Sequence, residues 1–340
     1  MREIPVKGVR PQHLELLFRN LGIRHTPPLI VTCIAGGQSN MTYRVNDAYG
    51  NKWVLRRPPL DAALQSAHDV LREFRIVSAL SHSAVPVAPP VAASSDITHF
   101  GAPLVVYGFV EGCVLHTTRI ASELAPSERY ELGMVVFDVL ADLHLLNPGD
   151  IGLGNLGPRE GYIERQLRRW SKQWEVQSPR HLPAWKEVRG RLAAALPRAQ
   201  RVSIVHGDYR LGNLMVADGR VRAVLDWELC TLGDPLADLA YLANTWLRPD
   251  EPEHWECAPT RVGGFPELEV LLTRYTARTQ LDLSDFFLYR AFSQWRTASI
   301  LEGVGMRTLA TSPSNAHAAS LLSASVEALA KDALAILDRR

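Results

Sequence analysis

The sequence predicts an α+β protein of two lobes, a small antiparallel-sheet lobe over residues 1–108 and a larger helical lobe over residues 109–340. Three observations predict it. Short β-branched runs separated by Gly, Asn and Asp turns occupy residues 28–107. Apolar residues then recur at helical spacing over most of the remainder. A Gly- and Asp-containing loop at residues 206–213 is followed by a hairpin signal, Asp218-Gly219. A chain of 340 residues is long enough to give each lobe its own core.

The elements follow in order. Residues 31–34 and 41–45 read as strands around the turn Ala35-Gly36-Gly37-Gln38-Ser39-Asn40. Two glycines there leave backbone N–H groups open to a polyphosphate, although Gly-Gly between strands also serves as a plain hairpin. Lys52-Trp53-Val54-Leu55-Arg56 is the next strand, ended by Pro58-Pro59. Residues 61–80 read as a helix with Leu64, Ala67, Leu71, Phe74 and Leu80 along one face, and residues 103–112 hold the last strand of the lobe. In the second lobe Ser127 is the expected N-cap of a helix on which Leu132, Val135, Val136, Val139, Leu140 and Leu143 recur, ending near Asn147-Pro148. His144, beside that stripe, reads as a packed, hydrogen-bonded core residue. Residues 152–161 read as a loop. Residues 159–176 and 182–196 read as helices carrying Trp170, Trp174 and Trp185, and residues 282–303 and 316–337 as further helices.

Composition narrows the class. With 46% apolar and 21% charged residues the chain is an ordinary globular protein. A net charge of +1 and the lack of a dense basic stripe argue against a nucleic-acid partner. Cys33, Cys113, Cys230 and Cys257 are scattered, without the paired spacing of a zinc site or a disulfide framework. No run reaches membrane-spanning length, and residues 1–14 lack the apolar core of a leader, so a soluble, cytoplasmic protein with no membrane partner is expected.

The chemistry lies in His206-Gly207-Asp208-Tyr209-Arg210-Leu211-Gly212-Asn213 and in Asp226-Trp227-Glu228. Phosphoryl transfer from ATP needs a carboxylate to orient and deprotonate the attacking hydroxyl, and hard oxygen ligands to hold Mg²⁺ against the phosphates. Asp208 fits the first role, and Asn213 and Asp226 fit the second. Residues 214–216 and 221–225 read as two strands around the Asp218-Gly219 turn, an arrangement expected to return Asp226 beside Asn213. Each of the three residues taken singly also reads as a turn residue.

This motif, with Gly233-Asp234-Pro235-Leu236-Ala237-Asp238-Leu239-Ala240, resembles the aminoglycoside phosphotransferase family, a branch of the protein-kinase-like fold. It is most similar to the phosphotransferase domains fused to, or encoded with, acyl-CoA dehydrogenases. The resemblance runs over about residues 30–305 and is most specific at 204–241. It implies ATP and Mg²⁺, with Asp208 catalytic and Asn213 and Asp226 on the metal. It also implies nucleotide contacts from the turn containing Gly36, Gly37, Gln38, Ser39 and Asn40. Where the family carries a phosphate-binding Lys, this chain offers Arg56 (or Arg57), with Lys52 at the strand's start a weaker substitute. Glu73 stands where the fold supplies a carboxylate to that cation, unless it pairs at the surface with Arg72 or Arg75. Backbone groups of Gly108, Phe109 and Val110 would read the adenine edge, with Val54 and Val106 beside the ring. His206 and Asp238 would be scaffold, and Glu228 either metal shell or surface.

The expected activity is transfer of the γ-phosphoryl group of ATP to a hydroxyl of a small-molecule acceptor. Arg165, Arg168, Arg169, Arg290, Arg296 and Arg307, with Trp170, Trp174 and Trp295, suggest an acceptor with an anionic group and an apolar body, such as a hydroxy acid or its CoA thioester. The alternatives are an aminoglycoside 3′-type phosphotransferase and a degenerate nucleotide-binding regulatory module. A protein kinase is disfavoured, because Gly233-Asp234-Pro235 follows Asp226 too closely for an activation loop and peptide platform. Oligomeric state is not legible.

Overall fold

Side-chain alternation fixes the first sheet. The computed structural model describes residues 9, 11–36, 40–58, 64–98, 100–177, 180–254, 258–311 and 315–339. After α1 (Pro11–Asn20), strands β1 (Ile30–Gly36), β2 (Met41–Asn46), β3 (Lys52–Arg57), β4 (Pro90–Ser94) and β5 (Leu104–Gly108) form an antiparallel sheet in the order β1-β2-β3-β5-β4. Along β3, Trp53, Leu55 and Arg57 are buried while Lys52, Val54 and Arg56 alternate with them, as a period of two requires. The buried face meets Tyr43, Val45 and Leu104. Helix α1 presents Leu14, Leu17 and Phe18 to the same core, and Phe18 meets Trp53 edge-on at 5.3 Å. Helix α2 (Leu64–Leu80) packs against β3, β4 and β5 with Val70, Ile76, Val77 and Leu80 buried. The helix predicted from residue 61 is thus present from Leu64, and residues 61–63 lie outside the described residues.

Two compact units result. The first is residues 1–113 with 215–217 and 222–228, and the second is 114–214 with 218–221 and 229–340. After β6 (Cys113–Val114) and α3 (Thr118–Ala121), the second unit is chiefly helical. Helix α4 (Pro126–Leu145) buries Leu132, Val136, Val139, Leu140 and Leu143. Ser127 is not its cap. Ala125 occupies that position, Pro126 takes the first helical turn, and Glu128 Oε2 accepts the Ala125 N–H at 2.6 Å. Helices α5 (Tyr162–Gln177) and α6 (Pro183–Ala194) follow, then β7 (Ser203–Val205), the hairpin β8 (Leu214–Ala217) and β9 (Arg220–Val224), and β10 (Thr231–Gly233). Asp218 and Gly219 take positive φ of 52° and 67°, the conformation a tight hairpin turn demands. β10 pairs antiparallel with β7.

Helices α7 (Pro235–Thr245), α8 (Leu268–Thr279), α9 (Phe286–Thr311) and α10 (Ala316–Asp338) complete the unit, with α9 packed on α5, α6, α7 and α10. Three indoles join α5, α6 and α9. Trp174 stacks on Trp185 at 4.4 Å and Trp185 on Trp295 at 5.1 Å, with interplanar angles of 15° and 25°. All three are buried, as is Trp170. No described helix is long and apolar enough to cross a membrane.

Candidate active site

The loop after β7 is held from inside the helical unit. Gly207 has φ 85°, and a Cβ there would sit 3.0 Å from the Leu229 carbonyl oxygen, so both conformation and space call for glycine. Asp238, buried in the first turn of α7, accepts the backbone N–H groups of His206 (2.5 Å) and Gly207 (2.8 Å). Burial pushes the Asp238 carboxyl up, but the hydrogen bond and charge of His144, the charge of His206 and the Gly207 N–H outweigh it and hold the group ionised. His144 is fully buried, with Nδ1 2.7 Å from the Tyr275 hydroxyl. From α9, Arg296 Nη2 donates to the Gly207 carbonyl at 2.9 Å.

Pinned backbone presents Asp208. The Asn213 amide donates to Asp208 Oδ2 (2.6 Å) and to the Asp208 carbonyl (2.8 Å), and Arg210 Nε lies 3.4 Å from Oδ1. The Asn213 amide nitrogen is thereby committed and its oxygen is left to serve as a ligand. The Asp208 side chain is 24% exposed, reachable by an acceptor hydroxyl.

The sheet-bearing unit carries the other candidate residues. Arg56 Nη1 is bonded to Glu73 Oε1, joining β3 to α2. Arg57 is buried on the opposite face of the strand and donates to the Pro58 carbonyl, while Lys52 pairs with Glu111 at 2.5 Å near the surface. Of the three cations, Arg56 alone is placed with Glu73. Burial raises the Glu73 carboxyl, Arg56 opposes that, Asp226 adds to it, and the group stands at about 7. Asp226, two residues past the end of β9, has φ 64°, a left-handed conformation that Asp tolerates better than most residues. Its Oδ1 is buried without a partner among the described residues, and so are Glu73 Oε2, Arg56 Nε and the Tyr107 hydroxyl. Orphaned atoms of this kind are costly, and a charged ligand or ion would satisfy them. Among the described residues no group of three or more His, Cys, Asp or Glu could hold an ion alone. A hard cation sharing Asp226 with phosphates and water fits that donor set.

The remaining nucleotide contacts are unevenly placed. Gly36 closes β1 opposite Met41 and Asn40 is buried, while Gly37, Gln38 and Ser39 lie outside the described residues. In the segment after β5, the Gly108 N–H is taken by the Pro89 carbonyl (2.8 Å) and the Phe109 N–H by the Lys52 carbonyl (3.3 Å). Neither N–H can read an adenine edge. The Val110 N–H has no partner among the described residues and is left, with the carbonyls of the segment, as the candidate contact.

On the acceptor side the structure corrects the sequence. Trp170, Trp174 and Trp295 are core, not an apolar wall for a ligand, because stacking and burial against α6 and α9 give them more contact than solvent would. Arg296 is spent on Gly207, Arg165 on the Pro158 carbonyl and Arg168 on Glu164. What sequence reasoning missed is a cavity of about 230 Å³ bordered by Arg210, Leu211 and Gly212 of the loop that carries Asp208.

The chain's residues 30–256 match the model of the phosphotransferase enzyme family. The chain belongs to the aminoglycoside phosphotransferase family. This phosphotransferase is 34% identical over 304 residues to mouse acyl-CoA dehydrogenase family member 10, an alignment covering 88% of the chain and 28% of that relative. It spans between 28% and 39% of the length of the curated relatives it matches. A Ralstonia eutropha crystal structure assigned to the aminoglycoside phosphotransferases superposes with a TM-score of 0.84 at 30% identity, covering 97% of this chain and 98% of that one. An amicoumacin kinase solved with AMP-PNP and Ca²⁺ shares the fold at a TM-score of 0.62 and 18% identity, over 94% and 93% of the two chains. The phosphotransferase therefore has the protein-kinase-like two-lobed fold, and its relatives of that fold include nucleotide- and metal-binding enzymes that act on small molecules.

Proposed function

We propose that the chain transfers the γ-phosphoryl group of ATP to a hydroxyl of a small hydroxy acid or its CoA thioester. The observation that carries the reaction is the Asp208 carboxylate, accessible, fixed by the Asn213 amide and set on a loop whose backbone is tied to Asp238 and Arg296. Asp208 orients the acceptor hydroxyl and takes its proton as the oxygen attacks the γ-phosphorus and ADP departs. Asn213 and Asp226 would hold Mg²⁺, which neutralises phosphate charge as the transition state loosens. Arg56, set by Glu73, would draw the phosphates with a planar fork where the family uses an ammonium. In this reading the sheet unit, with Gly36, Gly37, Gln38, Ser39, Asn40 and Gly108 to Val110, carries the nucleotide, and the helical unit carries the acceptor.

The likeness to a relative named for acyl-CoA dehydrogenase supports the acyl class of acceptor. A cytoplasmic setting, rich in ATP and acyl thioesters, belongs to the same reading. The test is ATP- and Mg²⁺-dependent phosphorylation, followed by ³¹P NMR, across hydroxy acids, their CoA thioesters and kanamycin. Phosphorylation of hydroxy acids or thioesters, absent in Asp208→Ala, supports the proposal. Transfer to kanamycin alone overturns the acyl reading, and so does the absence of transfer to every hydroxy acid and thioester.

A further inference from the structure

The cavity beside the catalytic loop has a charge pattern that the reaction itself does not explain. Besides Arg210, Leu211 and Gly212, its wall includes Arg290 and Gln294 of α9 and Asp332 and Arg339 at the end of the chain. An adjoining cavity of about 410 Å³ shares Leu247, Glu251, Arg290 and Arg339 with it. Both carboxylates of the first cavity are already partnered. Asp332 lies 2.7 Å from His254 Nε2, and Glu251 accepts the Arg248 N–H at 2.7 Å with the Arg248 guanidinium 3.6 Å away.

Two of the cations, Arg290 and Arg339, are in the opposite condition. Arg290 is oriented by Asn244, whose side-chain oxygen accepts from Nε at 2.9 Å and whose amide donates back to the Arg290 carbonyl at 3.0 Å. That leaves both terminal nitrogens of the guanidinium without a partner among the described residues, held as a fork and lining the cavity. Arg339 likewise has no hydrogen-bonded partner among the described residues. Burial lowers the Arg290 guanidinium, Glu251 and Glu269 counter it and Arg339 reinforces it, so an anion would relieve the site.

We infer that Arg290, with Arg339, binds an anionic group of the acceptor, a carboxylate or a phosphate, in the cavity bordering residues 210–212. This inference rests on the proposed reaction and adds to it what the acceptor must carry beyond its hydroxyl. A forked guanidinium fits either oxyanion in bidentate fashion. A polycation would meet two guanidiniums without hydrogen-bonded partners and carboxylates of this cavity that are already engaged, which disfavours an amine-rich acceptor there.

Isothermal titration of the full chain with 3-hydroxybutyrate, its neutral methyl ester and 3-hydroxybutyryl-CoA tests this. The wild type should bind an anionic probe about tenfold or more tightly than the ester, the size expected of a charged hydrogen bond. Arg290→Gln and Arg339→Gln should each erode that preference, with ADP affinity retained as the check on folding. Preference for the free acid assigns the anion to a carboxylate, and binding of the thioester alone assigns it to the CoA phosphates. Equal binding of ester and acid with no binding of thioester, survival of the preference in both variants, or no binding of any probe would overturn the inference. Phosphoryl transfer measured on the same samples separates the two readings. Anion-selective binding without transfer removes the reaction and leaves the site, whereas transfer to an uncharged acceptor with no anion preference removes the site and leaves the reaction.

Discussion

Asp238 and Arg296 illustrate how buried residues of the helical unit fix the backbone that carries the candidate base Asp208. Asp238 accepts two buried backbone N–H groups, so Asp238→Ala leaves both unsatisfied, at a cost of about 1–3 kcal/mol for each. We expect a fall in thermal midpoint with a loss of kcat larger than the loss of ATP affinity, measured by thermal unfolding and steady-state kinetics. Asp208→Ala should leave the thermal midpoint near wild type while turnover falls by roughly 10²–10⁴, the usual contribution of a general base. An Asp208→Ala enzyme that turned over normally would remove Asp208 from the mechanism. As candidates, Asp208, Asn213 and Asp226 were legible because chemistry and spacing named them together. The service of Arg296 to Gly207 was not, since a contact across 89 residues leaves no local pattern. Arg290 was among the acceptor-side arginines named from sequence, but its meeting with Arg339 was not legible, because only folding brings α9 and residue 339 to one cavity.

At the level of elements, β3 and α2 act as a pair through Arg56 and Glu73. Substituting both with Ala should show a coupling of roughly 0.5–3 kcal/mol in the KM for ATP, as contacting residues do. Additive losses would mean that the pair does not work as a unit. Strand alternation could in principle have separated Arg56 from Arg57, since only one of two neighbours can face away from the core. The raised Glu73 carboxyl has a consequence for pH. Between its ordinary 4.5 and about 7 the folded chain keeps a proton that the unfolded chain has released. The stability this gives is full below 4.5 and is lost as pH rises to about 7, a change on the order of 3 kcal/mol. Denaturant midpoints of wild type should therefore fall relative to Glu73→Gln over that window, and parallel curves would refute the shift. Short elements were the least legible: three residues of β10 carry too little pattern, and Ser127 lost its expected cap to the Pro126 beside it.

For the molecule as a whole, the two-lobed class was legible because sheet-like and helical periodicities occupy separate stretches of the chain. Sequence gave the tryptophans no direction, and only their packing across α5, α6 and α9 shows them to be core. A nucleotide that binds only the folded chain adds stability by mass action, about 2.7 kcal/mol at a hundredfold excess over Kd. Mg²⁺ with AMP-PNP should thus raise the thermal midpoint, EDTA should cancel most of the rise, and Asp226→Ala should show little of it. The stacked indoles of Trp174, Trp185 and Trp295 carry a last consequence, an optical one. Chromophores held this closely couple their transitions, so the circular dichroism of the helical unit should contain a contribution from the stack. Its loss on heating would time the melting of that unit separately from the sheet, with no label attached.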